Sequence, residues 1–155
     1  MTTTDVETGG RFGAVVDTAT YNKIGGASFA LWGLIHVLVG GIGLAIFFTG
    51  GTGPMLEFVN IDPAVNQQAA RMSALVAEFY QALLLIGLTT LVLGVTLNWR
   101  GEPLGLGLNA ILVASIETFF VWFEVIPGHR PAIIAVVTVA LLVVGVVCCG
   151  LGSLR

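Results

Sequence analysis

Four long apolar windows leave this chain little freedom of class. Ile24 to Phe48, Met72 to Leu97, Leu104 to Ile126 and Pro131 to Leu151 take up most of its 155 residues. At a rise of about 1.5 Å per residue, each is long enough to cross a hydrocarbon layer of about 30 Å. A backbone in lipid finds no water to bond, so each window must close its hydrogen bonds internally, as a helix. The runs also lack the strict alternation of a membrane barrel strand. Hydrophobic residues make up 56% of the chain and charged residues only 10%, far below the roughly 25% charged content of soluble domains. The expected fold is therefore an all-α integral membrane protein, a four-transmembrane-helix bundle made of two antiparallel hairpins over 24–151. A tail or interfacial segment over 1–23 precedes it and a short tail over 152–155 follows.

The first 23 residues carry Asp5, Glu7 and Asp17 before Lys23 and lack the basic start of a signal peptide, so the segment is expected to be retained. Phe12, Val15, Val16 and Ala19 recur at helical spacing, which suits either an amphipathic surface helix or a tail. Orientation follows from the six basic residues. Four spans put Arg11, Lys23, Arg100 and Arg155 on one side and Arg71 and Arg130 on the other, which favours both termini in the cytoplasm of a plasma or inner membrane. Trp99, Trp122 and Tyr80 suit interfacial anchors, with helix packing as the alternative role.

Two connections, "NWRGEP" and "PGHRP", are short and rich in Gly and Pro, so the spans they join should be antiparallel neighbours. The first connection, 49–71, is longer. Its Met55, Leu56, Phe58, Val59 and Ile61 suit a stretch that skims the outer interface, and Asp62 with Pro63 is a cap and first-turn signal for the second long helix.

Within the first span His36 is the one polar side chain between Ala30 and Phe48. Gly26, Gly33 and Gly40 recur every seven residues on one stripe, and His36 lies about 40 to 60° around from Gly33 and Gly40, at 100° per residue. Such small-residue stripes mark close helix contacts in membranes, which turns His36 into the bundle. The third span offers its partner. Asn109, Glu117 and Glu124 share a broad face beside Ala110 and Ala114, and Glu117 lies about 20 Å from Leu104, close to the depth of His36. A carboxyl at that depth is expected to be protonated, paired with His36 or bathed by an internal water cavity. The second span adds Glu78 and Gln81 one turn apart, with Gly87 and Gly94 on a small-residue face nearly opposite Glu78. Together His36, Glu78, Gln81, Asn109, Glu117 and Glu124 outline either a polar path opening outward or a set of interhelical pairs.

His36, Glu78 and Glu117 lack a second close ligand at metal-binding spacing, and His129 sits in an outer turn, where it cannot readily meet His36 at mid-membrane depth to share a haem. No metal site is expected, and the sequence does not identify a cofactor. Adjacent Cys148 and Cys149 do not form a CxxC motif and suit small apolar packing. There is no phosphate-binding loop, nucleophile elbow or basic nucleic-acid patch. The size and four-span plan are similar to those of several groups of small membrane proteins, the DoxX-like proteins among them, a likeness of span count that carries no motif and no functional residue. Two function classes follow. One is a nonenzymatic accessory or assembly subunit that meets a membrane-protein partner or a second copy of itself within the lipid bilayer. The other is a proton-coupled small-solute transporter or channel-like protein that uses the His/Glu path.

Overall fold

The computed structural model describes residues 17–58 and 69–153. Among them the chain is helical, without a strand: α1 spans Thr18–Gly50, α2 Thr52–Phe58, α3 Ala69–Thr96, α4 Pro103–Phe120 and α5 Ala132–Ser153. A 3₁₀ turn at Asn98–Arg100 precedes α4, and a π turn at Val121–Val125 prolongs it. Four helical stretches, Thr18–Gly50, Met72–Arg100, Pro103–Val125 and Ala132–Ser153, are long and apolar enough to cross a membrane. Leu38, Ile42, Leu85, Ile111 and Val143 are among the many large apolar side chains exposed on the outside, as expected of helices that are apolar all round.

The helix ends follow local chemistry. The first helix starts at Thr18, ahead of the apolar window at Ile24, because Asp17 caps it: its Oδ1 accepts from Thr20 N–H at 2.6 Å. It stops where Gly51 takes a φ of 72°, open to glycine at no steric cost, and donates its N–H to Phe47 O. Gly101, at a φ of 77°, closes the 3₁₀ turn, and Pro103 opens α4 in the first-turn position where its missing N–H costs nothing.

Packing centres on α1, which lies between α3 and α5. Against α3 the register runs Gly26 to Gly94, Gly33 to Gly87 and Gly40 to Leu84. The backbones come so close that a Cβ on Gly33 would stand 2.5 Å from Gly87 O, and one on Gly87 would stand 2.8 Å from Gly33 O. On the α5 side Phe29 packs over Gly145. Phe29, Trp32, Val113 and Cys149 form the main core, with Ile116 and Leu142 against it. The α4 helix packs on α5 and α3.

The start of the first connection is helical. Short α2 folds back on α1 and α3, and Met55 is fully buried against Ala77, Tyr80 and Leu83. Tyr80 is likewise buried, with its ring over Gly43, and serves packing. Trp99 and Trp122 are exposed. Arg11, Phe12, Val15, Val16, Val59, Ile61, Asp62, Pro63 and Arg155 lie outside the described residues.

Candidate functional site

The buried face of α4 is written every fourth residue: Gly105, Asn109, Val113 and Glu117. Glu117, only 4% exposed, is the carboxyl of the bundle interior. Trp32 Nε1 on α1 donates to its Oε1 at 2.6 Å, and Thr138 Oγ1 on α5 lies 2.7 Å from its Oε2. Three helices thus meet on one side chain. The geometry serves both forms of the group. A carboxylate accepts from the indole and the hydroxyl. A carboxylic acid gives its proton to Thr138 Oγ1, whose own O–H then turns to Ile134 O at 3.2 Å. Trp32 is fully buried, and a buried indole N–H needs such an acceptor.

His36 sits one turn along α1 and stacks on Trp32, ring centroids 3.6 Å apart and planes 20° from parallel. Its Nδ1 is 2.9 Å from Trp32 O. A carbonyl only accepts, so this bond requires the proton on Nδ1, and in the neutral tautomer that fits it Nε2 is the acceptor. His36 and Glu117 form no ion pair; the indole of Trp32 links them, stacked on one and bonded to the other. Among the described residues, no group of three or more His, Cys, Asp or Glu is arranged to hold a metal ion.

Asn109 belongs to a separate polar cluster, two turns nearer the start of α4. It is fully buried, with Nδ2 3.1 Å from Asn98 Oδ1 and 3.4 Å from Thr90 O. Turned over, the Asn98 amide donates to Leu93 O at 3.0 Å and Gly105 O at 3.2 Å. In either orientation Asn98 ties the end of α3 to the start of α4, and its side chain lies 3.6 Å from Cys149 Sγ on α5. Cys148 and Cys149 are free thiols.

The remaining polar residues are dispersed. Glu124, in the π turn, lies 3.7 Å from Arg130 Nε and is partly exposed with it. Glu78 and Gln81 are exposed on the outer face of α3, where neither has a hydrogen bond or ion pair among the described residues. Of the six polar candidates, then, only His36 and Glu117 gather at one place, and they do so through Trp32.

Beside Glu117 the seam between α4 and α5 opens outward. A cleft of about 280 Å³ is lined by Ala114, Glu117, Thr118, Val121, Trp122, Val139 and Leu142. A second, wholly apolar groove of about 270 Å³ continues from Ala110, Ala114 and Leu142 to Val143, Val146 and Val147. Ala110 and Ala114 are too short to fill the space.

Trp32 and Thr138 escape a search for ionisable residues. Trp32 reads as one more large side chain in an apolar run. Thr138 left a trace, since it is the only hydroxyl between Ala132 and Gly152. No family model, curated protein or solved structure matches the chain, so the site rests on its own geometry.

Proposed function

We propose that this chain is a polytopic membrane protein, four helices in two antiparallel hairpins with both termini cytoplasmic, that works as a nonenzymatic accessory or assembly subunit of a membrane complex. The reading rests on Glu78 and Gln81. Both face outward from the span Met72–Arg100 without a partner among the described residues. A carboxyl and a carboxamide turned toward hydrocarbon are costly, and a neighbouring protein helix supplies the bonds that lipid cannot. The opposite side of α3 is already taken by α1.

The test is a photoreactive residue at Gln81, with a second at Ile111 on the lipid-facing side of α4, cross-linked in native membranes. Position 81 should give one protein adduct of defined mass and position 111 lipid adducts. Lipid adducts alone at both positions would end the reading.

A second reading, a proton-coupled small-solute transporter or channel-like protein, draws on one observation: Glu117 lines a cleft on the side of the bundle. In this reading the working group is His36, Trp32 and Glu117, and a folded Glu117→Gln variant loses flux while Gln81 variants keep it.

A further inference from the structure

We propose that the α4–α5 cleft is a lateral binding site for a single-chain amphiphile with a primary ammonium headgroup, the head on Glu117 and Thr118 and the hydrocarbon chain along Ala110, Ala114 and Val147. Glu117 is the only ionisable residue lining either cavity, and the wall around it is apolar apart from Thr118 and the indole of Trp122. A carboxylate in a water-poor setting is best compensated by a cation. Trp32 and Thr138 are neutral donors, and no basic side chain reaches Glu117 among the described residues. A carboxylate can accept about four hydrogen bonds, so two bound donors leave room for an ammonium.

Thr118 adds an independent sign. The exposed hydroxyls of Thr49, Thr89, Thr96 and Ser115 each donate to the carbonyl four residues earlier. Thr118, exposed in the cleft beside Glu117, makes no such bond among the described residues. Its oxygen is free to accept an ammonium N–H. Trp122, 63% exposed, lines the same cleft, and an indole is the side chain that attracts a cation most strongly. Size sets the rest of the ligand. Each cavity lies just below the roughly 300–1,000 Å³ of drug-sized sites, and the two share Ala114 and Leu142, which suits a narrow chain and not a fused ring system.

The site needs no partner protein, so its failure and that of the accessory reading are separate results. The probe is radiolabelled decylammonium, added to the full chain in zwitterionic nanodiscs with decanol as the neutral competitor. Saturable binding at one site per chain is expected, with affinity falling roughly tenfold or more in Glu117→Gln and in Ala114→Leu, which fills the cleft and leaves the carboxyl in place. Equal affinity in folded Glu117→Gln, or in Ala114→Leu, would overturn the proposal. So would decanol competing as strongly as unlabelled decylammonium, which would make the cleft a groove for neutral lipid.

Discussion

Trp32 Nε1 donates to Glu117 Oε1 across 2.6 Å, a bond between residues 85 positions apart. It crosses the core of the bundle, between two helices whose backbones do not run side by side, and Thr138 on α5 completes the junction from the other oxygen. One carboxyl therefore ties three helices together.

Removing either end of this bond strands the other. Trp32→Phe leaves Oε1 without its donor, and Glu117→Leu leaves a buried indole N–H without an acceptor. Glu117→Gln should cost less, because the amide oxygen still accepts from Trp32 and its nitrogen can donate to Thr138. A double-mutant cycle of Trp32→Phe with Glu117→Leu, followed by reversible unfolding in mixed micelles, should show a coupling of about 0.6–2 kcal/mol. Additive losses would mean that the pair does not interact.

Much of the architecture was legible because it depends on one dominant signal. Continuous apolar runs announce four long helices, and the shared phase of Asn109 and Glu117 turns both to the buried face of α4. The wiring inside the bundle is another matter. Periodicity gives the face of a helix and not its neighbour across the core, so it set His36 at the depth of Glu117 without showing that Trp32 links the two. Glu78 stands nearly opposite Gly87 by phase; α3 gives its Gly87 side to α1 and leaves Glu78 outside. The π turn at Val121–Val125 shifts register in a way that no apolar pattern records.

The α1–α3 seam should be intolerant of a single methyl group. Gly33→Ala would push a Cβ into the backbone at Gly87 and Leu91, where no flexible side chain can yield, whereas Gly41 has open space around its Cα. Thermal unfolding should show Gly33→Ala destabilised by about 1–3 kcal/mol and Gly41→Ala unchanged or raised by up to about 1 kcal/mol, the helix preference for alanine. Equal effects at the two positions would contradict the close approach.

Acid should loosen the first turn of α1. The Thr20 backbone N–H, then its hydroxyl, hold the Asp17 carboxyl below the usual carboxylate range; desolvation opposes them, and Lys23 adds a lesser pull in their direction. A lowered folded value means that the cap contributes at neutral pH and is lost as pH falls through that value. Amide exchange at Thr20 and Tyr21, corrected for the intrinsic rate, should stay constant from neutral pH into the ordinary carboxylate range and rise below it. Asp17→Asn keeps a capping oxygen and should remove the pH dependence; a pH dependence surviving in that variant would assign it elsewhere.

The indole proton of Trp32 reports most directly on the junction that organises the core. The chain has three tryptophans, so a ¹⁵N-labelled sample in nanodiscs gives three indole N–H signals, and Trp32→Phe identifies the one that matters. Its proton should resonate downfield of Trp99 and Trp122, resist solvent exchange and move upfield in Glu117→Leu. A Trp32 signal that exchanges as fast as the two exposed indoles, and that Glu117→Leu leaves in place, would contradict the bond and the three-helix junction built on it.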